Sequence, residues 1–260
     1  MIDIHTHILP ALDDGAQDWR DAVDLARAAA AEGIETIVAT PHHANGVYMN
    51  DARIVSEAVE EMNRRLVAEG IALNVRAGQE VRVHDDLLEA WSRDELLSLA
   101  GSRYLLIELP TSSIPRGTID LLHELKIMNL SPIIAHPERN AEIAAHPERL
   151  AELVAAGAYG QVTTHSLLGG FGKRIEQGAW NLCRQGLIHV VSSDAHHVTK
   201  RGFLLQESYR RVNTTLGESF ELFFRKNAES VLYNREILSI PPIARNESFW
   251  GKVAKILRKS

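Results

Sequence analysis

The sequence contains almost no cysteine. Cys183 is the single cysteine among 260 residues, so the chain cannot form an internal disulfide, a property typical of proteins that work in a reducing compartment. A cysteine-based phosphate-binding loop is also excluded, because such a loop carries an arginine six positions after its cysteine and His189 occupies that position. Any phosphate chemistry would therefore have to use other groups.

Long apolar runs and an excess of basic residues are also missing. No stretch of about eighteen apolar residues occurs, and the amino-terminal sequence MIDIH has no basic segment before a hydrophobic one. We therefore expect no signal peptide, no membrane-spanning helix and a cytoplasmic protein. The formal net charge of -6 argues against a nucleic-acid-binding surface, which is normally basic.

Short apolar segments alternate with helical patterns along the chain. Seven segments rich in β-branched and aliphatic residues are predicted to be strands, at 2–4, 36–39, 73–77, 104–107, 132–135, 159–162 and 188–192. They are continuously apolar, as expected of a parallel sheet that is covered on both faces. The repeated βα pattern predicts an α/β protein with a barrel or a closely related barrel-like sheet.

The ends of several helices follow from their capping residues. Asp18 and Asp51 are typical N-cap residues for helices that end at Gly33 and Gly70. Pro147 fits the first turn of another helix. Further helices are predicted before position 186, at 202–216 and at 218–233.

A Pro-Pro pair at 241–242 is predicted to divide the chain. Residues 1–240 would form one domain, which suits the length of an α/β barrel, and residues 241–260 a short tail. Residues 248–260 carry four basic side chains and no acidic one, with apolar side chains at helical spacing between them. This pattern is typical of an amphipathic helix that contacts an anionic membrane or a protein partner. A tail that folds back on the acidic domain fits it equally.

Histidine and acidic residues follow six of the predicted strands. The candidates are His5, His7, His42, Glu80, Glu108, His136, Asp194 and His196, with Asp14 on the loop after the first strand. In an α/β barrel the carboxyl ends of all strands open on one face, where active sites lie, so these residues are expected to converge. Within His5-x-His7 and Asp194-x-His196, the paired side chains project from the same side of an extended backbone.

This set of side chains predicts a catalytic metal site. Imidazole and carboxylate ligands suit Mn, Fe or Zn, and the lack of thiolates disfavours a closed structural zinc site. Four carboxylates with three divalent ions would leave about two net positive charges, which complement a phosphate monoester better than a neutral amide. Two members have structural alternatives, because Asp14 lies in a turn-like DDG sequence and Glu108 fits the end of a strand before Pro110.

Several ordered motifs resemble those of the polymerase-and-histidinol-phosphatase (PHP) domain. The motifs are IDIHTHILP at 2–10, DDG at 13–15, ATPH at 39–42, GQEV at 78–81, LIE at 106–108, IAHPER at 134–139 and SDAH at 193–196. The DDG and HPER motifs, SLLG at 166–169 and the chain length narrow the resemblance to CpsB/YwqE-type tyrosine phosphatases of capsule and exopolysaccharide systems. The resemblance covers residues 1 to about 235.

The resemblance implies a fold, metals and ligand sets. The implied fold is a distorted (β/α)7 barrel of the TIM type, and the implied cofactors are three divalent ions, usually manganese. The implied ligand sets are His5, His7, Glu80 and Asp194 for one ion, Glu80, Glu108 and His136 for a second, and Asp14, His42 and His196 for the third. Arg139 matches the family's phosphate-contacting arginine, and Arg201 is a second candidate for that role.

The resemblance also implies a substrate. This is phosphotyrosine on the tyrosine-rich tail of a membrane-associated bacterial kinase that controls polysaccharide export. Our hypothesis is that a metal-activated water attacks phosphorus in line with the departing phenolate, while Arg139 binds phosphoryl oxygens. HPER recurs at 146–149, but the first copy follows a predicted strand, which favours Arg139 over Arg149.

Alternatives remain open at this point. One is a PHP phosphoesterase for small-molecule or nucleotide phosphates, which would use the same metals. Others are a metal-dependent amidohydrolase, whose barrel also begins with His-x-His, and a non-catalytic docking protein. Glu80 and Glu108 weigh against the amidohydrolase, and the full ligand set weighs against the docking protein. His165 either lines the substrate pocket or is an ordinary loop residue.

Overall fold

The computed structural model describes residues 1–242. The predicted amphipathic helix of the basic tail lies outside the described residues, and so do its contacts. The division of the chain at residue 240 likewise stays a prediction.

Two parallel sheets form the centre of the described chain. Their strands are β1 (Ile2–Thr6), β2 (Thr36–Ala39), β3 (His42–His43), β4 (Asn74–Ala77), β5 (Glu80–Arg82), β6 (Tyr104–Glu108), β7 (Ser131–Ala135), β8 (Tyr159–Thr163) and β9 (Val190–Ser192). The first sheet has the order β1-β2-β4, and the second has the order β3-β5-β6-β7-β8-β9.

The two sheets together make one barrel with seven strand positions. β2 and β3 are successive pieces of one position, separated by residues 40–41, and β4 and β5 are pieces of the next, separated by residues 78–79. The segment after β9 returns to β1, because the Asp194 amide donates to His5 O and the His7 amide donates to Ala195 O, each over 2.9 Å. The predicted distorted (β/α)7 barrel is confirmed.

Helices connect and cover the strands. They are α1 (Trp19–Ala31), α2 (Ala52–Ala68), α3 (Leu87–Ser92), α4 (Thr118–Ile127), α5 (Ala141–Ala145), α6 (Glu148–Ala155), α7 (Thr164–Leu167), α8 (Lys173–Arg184), α9 (Leu205–Leu216) and α10 (Glu218–Leu232). Asp18 caps α1 as predicted, since its side chain accepts from the amides of Arg20 and Asp21. Asp51 precedes α2 but makes no capping bond through its side chain. Within residues 1–242, no helix combines the length and apolar character needed to cross a membrane.

The last helix packs directly on the barrel strands. Ala228 and Val231 of α10 belong to the same buried apolar cluster as Ile4 of β1 and Val190 of β9. The chain then passes the amino ends of the strands, where Tyr104 Oη donates to the carbonyl of residue 235 over 2.6 Å. The opposite end of the barrel, at the carboxyl ends of the strands, carries the histidine and acidic residues.

Candidate metal centre

The nine predicted ligand residues all lie at the carboxyl ends of the barrel strands. His5 lies on β1, and His7 and Asp14 lie on the loop after it. His42 and Glu80 begin β3 and β5, which are the carboxyl-terminal pieces of their strand positions. Glu108 ends β6, His136 follows β7, and Asp194 and His196 follow β9. Four overlapping groups of these residues have ligand atoms within 4.8 Å of one another. The structure therefore brings all nine together.

Two histidines and two carboxylates form the centre of this cluster. Nε2 of His5 lies 3.2 Å from Nε2 of His7. Oε2 of Glu80 lies 3.4 Å from each of these nitrogens. Oδ1 of Asp194 lies 3.4 Å from Nε2 of His5 and 3.3 Å from Nε2 of His7. All four side chains are buried, so their donor atoms enclose a small space shielded from bulk water.

His42 links this centre to the outer part of the cluster. Its Nδ1 lies 2.9 Å from Glu80 Oε2 and 3.8 Å from Glu108 Oε2. Its Nε2 lies 3.5 Å from Asp14 Oδ1, and Nε2 of His196 lies 3.4 Å from the same Asp14 oxygen. His42 thus stands between two candidate metal positions, whereas the family resemblance implies one ion for it.

His136 and Asp194 have unusual backbone conformations. Their φ angles are 29° and 56°, in the left-handed region that non-glycine residues rarely adopt. The amide of His136 is held by the Gln161 side chain over 3.3 Å, and that of Asp194 by the carbonyl of His5. In this conformation Nε2 of His136 reaches Glu80 Oε1 over 2.7 Å. Strained backbone of this kind is concentrated at functional sites.

Asp13 and Gln161 orient the two central histidines. Nδ1 of His7 donates to Asp13 Oδ2 over 2.6 Å, and Nδ1 of His5 donates to Gln161 Oε1 over 3.0 Å. These bonds place the ring protons on Nδ1 and leave both Nε2 atoms free to bind a metal. Neither role was predicted, although Asp13 lies in the DDG motif. Gln161 gives no comparable signal in the sequence.

The glycine of the DDG motif is required by close packing. A Cβ on Gly15 would lie 2.0 Å from the carbonyl oxygen of His7 and 2.6 Å from its Cβ. The amide of Gly15 also donates to Asp13 Oδ1 over 2.9 Å. The close packing of Gly15 on His7 folds the loop back on this histidine. Asp13 then reaches the His7 ring, while Asp14 faces His42 and His196.

The buried carboxylates favour positive charge at the centre. Burial alone would lower the pKa of His5, but the Glu80 and Asp194 carboxylates outweigh burial and raise it. Burial is likewise outweighed at His7, where the Asp13 carboxylate holds the pKa well above its ordinary value. Burial would raise the pKa of Glu80 and Asp194, but His5 and other cations hold both well below the ordinary value. A site that attracts protons in this way also attracts metal ions, which replace those protons.

Three buried ligand atoms make no hydrogen bond of acceptable geometry within residues 1–242, although two of them, His42 Nδ1 and Glu80 Oε2, lie 2.9 Å apart. They are His42 Nδ1, Glu80 Oε2 and Asp194 Oδ1. Buried polar atoms normally have a partner in the protein or in ordered water. Since these atoms belong to the converging ligand groups, a cation would satisfy all three. The mixture of imidazole and carboxylate donors fits Mn, Fe or Zn.

Two predicted arginines converge on Asp194. Nη1 of Arg139 donates to Asp194 Oδ2 over 2.8 Å, and Nη2 of Arg201 donates to the same oxygen. Their side chains are 32% and 21% exposed, so both lie at the rim of the cluster with donors to spare. Both also lie against the ring of Phe171, a residue that the sequence did not single out.

A third arginine enters the site on β5. Nε of Arg82 donates to Glu108 Oε2 over 2.9 Å. This role was not predicted. The sequence does contain a signal for this position: Arg82 lies two residues after Glu80, and residues at this spacing on a strand project from the same face.

His165 lies on α7 rather than on a loop. Its side chain is buried, and its ring centroid lies 5.7 Å from that of Phe171. Burial, with the nearby cation of Arg201, lowers its pKa, which favours the neutral imidazole. Substrate contact by His165 stays a prediction.

A parallel barrel with histidines and carboxylates converging at the strand ends, flanked by arginines, defines a metal-dependent hydrolase that suits an anionic substrate. Within this class, the chain belongs to the capsular polysaccharide synthesis CpsB/CapC family, whose model matches residues 1–233. The narrower of the two resemblances is therefore confirmed.

Curated relatives match the chain over nearly their whole length. The tyrosine-protein phosphatase YwqE of Bacillus subtilis is 45% identical over 242 residues, which cover 93% of this chain and 95% of the relative. A putative tyrosine-protein phosphatase, CapC of Staphylococcus aureus, is 39% identical over 238 residues, covering 91% and 93% of the two chains.

Solved structures agree with this relationship. A chain from crystal structures of YwqE from Bacillus subtilis and CpsB from Streptococcus pneumoniae, described as unique metal-dependent tyrosine phosphatases, superimposes with a TM-score of 0.90. It is 43% identical and covers 95% of this chain and 100% of its own. A probable 2-pyrone-4,6-dicarboxylic acid hydrolase from Acinetobacter baumannii, with a TM-score of 0.50 and 14% identity, shares the fold alone.

Proposed function

We infer that this chain is a metal-dependent protein tyrosine phosphatase of a capsular polysaccharide system. The observation that carries the inference is the convergence of nine ligand residues and two arginines in one site. The chain also shares 45% identity with a tyrosine phosphatase over nearly the whole length of both proteins. The chain is accordingly an enzyme, a phosphoric monoester hydrolase.

We propose three divalent ions, of which manganese is the first candidate. The ligand groups found in the structure support positions around His5 and His7, around Glu108, and around Asp14. Glu80 lies within reach of the first two groups and His42 of the last two. When bound, such ions supply Lewis acidity toward phosphoryl oxygens and a water of lowered pKa as the nucleophile.

The protein's own residues would bind and orient the phosphoryl group. Arg139 and Arg201 each use one donor on Asp194 Oδ2, and Nη1 of Arg201 also lies 3.4 Å from His196 Nε2. The N–H groups that these contacts leave would donate to phosphoryl oxygens. The planar guanidinium groups would offset the charge that spreads over these oxygens in the transition state. A tyrosine leaving group has a pKa of about 10, so it departs more readily than an alkoxide and needs less help from a general acid.

For the substrate, we propose the phosphorylated tyrosine-rich tail of a membrane-associated tyrosine kinase that regulates polysaccharide synthesis. The family assignment to capsular polysaccharide synthesis supports this choice. The enzyme would then work in the cytoplasm, where the kinase tail is exposed. Contact of residues 241–260 with the membrane or with the kinase is part of the same proposal.

A substrate comparison tests the proposal. Metal-loaded protein is assayed with a phosphotyrosine peptide, the matching phosphoserine peptide, histidinol phosphate and nucleotides. We expect the phosphotyrosine peptide to have the highest kcat/KM. Rapid turnover of a metabolite or nucleotide with an inert phosphotyrosine peptide would assign the site to a small-molecule phosphoesterase instead.

A further inference from the structure

We propose that Phe171 is a positioning residue that holds Arg139 and Arg201 in the orientation that binds the phosphoryl group. The inference rests on the proposed phosphatase function and deepens it. It names the aromatic ring on which both phosphate-binding arginines are supported.

Both guanidinium groups lie close to the same ring. Cζ of Arg139 is 5.2 Å and Cζ of Arg201 is 5.7 Å from the centroid of Phe171. Both distances are within the roughly 6 Å range of cation–π attraction. Two arginines that share one carboxylate oxygen on Asp194 repel each other, and the negative face of an aromatic ring reduces that repulsion.

Backbone hydrogen bonds, one of them to α7, hold the loop that carries Phe171. The amide of Gly170 donates to the carbonyl of His165 over 2.7 Å, and the amide of Gly172 donates to that of Gly169 over 2.9 Å. Gly169 and Gly172 have φ angles of 79° and 91°, which side-chain-bearing residues rarely adopt. A Cβ on Gly170 would lie 2.9 Å from Cδ2 of His165. The loop therefore packs tightly on α7 and presents Phe171 in a fixed position.

Arg201 retains an unused donor in this arrangement. Its Nε is buried and has no hydrogen-bond partner within residues 1–242. A buried guanidinium donor is normally satisfied by protein, water or ligand. Asp194 occupies one N–H group of each arginine, and Nη1 of Arg201 also lies 3.4 Å from Nε2 of His196. The phosphoryl oxygens of a substrate are suitable acceptors for the N–H groups that these contacts leave. Phe171 fixes the direction in which these donors point.

Phosphate binding measures this role without depending on turnover. Inorganic phosphate is titrated into Mn2+-loaded wild type, Phe171→Ala, Phe171→Leu and Phe171→Tyr by calorimetry. We expect the alanine and leucine variants to raise the phosphate Kd roughly fivefold, the order of magnitude expected when weak, partly exposed cation–π contacts to both arginines are lost. The tyrosine variant keeps an aromatic face and is expected to bind like the wild type. Leucine keeps apolar volume without that face, so it separates support of the arginines from simple packing.

A double variant that lacks both arginines shows whether Phe171 acts through them. If Phe171 acts through the arginines, Phe171→Ala leaves the phosphate Kd of the Arg139→Ala/Arg201→Ala protein unchanged. An undiminished effect in that background would overturn the proposal. An unchanged phosphate Kd in the single variants would also overturn it. This includes the outcome in which only the KM for aryl phosphates rises, because the ring would then contact the leaving group and not support the arginines. Leu222→Ala, on the exposed part of α10, is the control for general destabilisation.

The phosphate titration distinguishes a failure of the positioning role from a failure of the phosphatase assignment. Phosphate binding is measurable in the metal-loaded protein even if phosphotyrosine is not its substrate, and melting temperatures establish that each variant is folded. Failure of the substrate comparison with a normal Phe171 effect would reject the substrate alone. Phosphotyrosine hydrolysis without any Phe171 effect would reject the positioning role alone.

Discussion

Nε2 of His5 lies 3.2 Å from Nε2 of His7 at the centre of the site. Since the Nδ1 atoms of these rings donate to Gln161 and Asp13, each ring turns its Nε2 toward the other. The buried carboxylates of Glu80 and Asp194 lie within 3.4 Å of both nitrogens and favour positive charge there, which a bound cation would supply. The pair therefore fits a metal-binding site.

The bond from His7 to Asp13 leads to the first prediction. Asp13→Asn keeps the shape of the side chain but removes the negative charge that orients the His7 ring. We expect metal affinity to fall roughly 10- to 100-fold, as for other residues that hydrogen-bond to metal ligands. Titration with Mn2+ followed by calorimetry measures the change. Asp120→Asn, on the exposed face of α4, is the matched control, and equal affinities in the two variants would contradict the role of Asp13.

Arg139 and Arg201 are expected to act on the substrate rather than on folding. Alanine at either position removes a charged donor from the phosphoryl group, and we expect kcat/KM for a phosphotyrosine peptide to fall on the order of 100-fold. The second HPER copy supplies the control, because Arg149 pairs with Glu142 and Glu152 away from the site. Arg149→Ala should retain nearly full activity. An equal loss in all three variants would point to general destabilisation.

Gly15 is expected to be intolerant of substitution. Gly15→Ala forces a Cβ against the backbone of His7, so the loop carrying Asp13 and Asp14 must move. We expect a loss of about 1–3 kcal/mol in the free energy of unfolding together with weaker metal binding. Denaturant unfolding of the metal-free and metal-loaded proteins measures both effects. Gly178→Ala, in the open on α8, should instead stabilise the protein slightly. A Gly15→Ala protein as stable as the wild type would show that the loop has room.

The burial of His189, which lies outside the candidate metal site, predicts a pH dependence of the free energy of unfolding. Burial lowers its pKa to about 4, and its Nδ1 accepts a hydrogen bond from the Gly160 amide over 3.1 Å. The unfolded chain takes up this proton near pH 6.5, while the folded chain resists it until about pH 4, so stability is lost as pH falls through this window.

The matching variant isolates this effect. Between pH 7 and pH 5, the metal-free wild type should lose roughly 2 kcal/mol more unfolding free energy than His189→Gln, which has no titrating ring. Urea unfolding at both pH values measures the difference. Identical losses in the two proteins would show that the folded protein accommodates the charged imidazole.

The barrel and the convergence of the candidate ligand residues were predictable because both leave local signals. Continuous apolar segments indicate buried parallel strands, and the polar residues that follow them must meet at one end of the barrel. β3 and β5 were missed because segments of two and three residues are too short to produce a pattern. Asp51 was expected to cap α2 through its side chain, but a sequence does not reveal where that side chain points.

The supporting residues depend on contacts between distant parts of the chain. Gln161 holds His5 across 156 positions of sequence, and the Phe171 ring contacts arginines from two distant segments of the chain. Neither residue type suggests metal or phosphate chemistry by itself. Such roles become visible once the fold has placed the side chains together.

Hydrolysis of a phosphotyrosine peptide before and after metal removal tests the central claim most directly. The wild type, His5→Ala and His136→Ala are treated with chelator, dialysed and resupplied with Mn2+, with bound metal measured in parallel. We predict that chelation abolishes wild-type activity, that Mn2+ restores it, and that both variants bind less metal and stay inactive. Undiminished hydrolysis after chelation and in both variants would contradict a metal-dependent phosphatase built on this site.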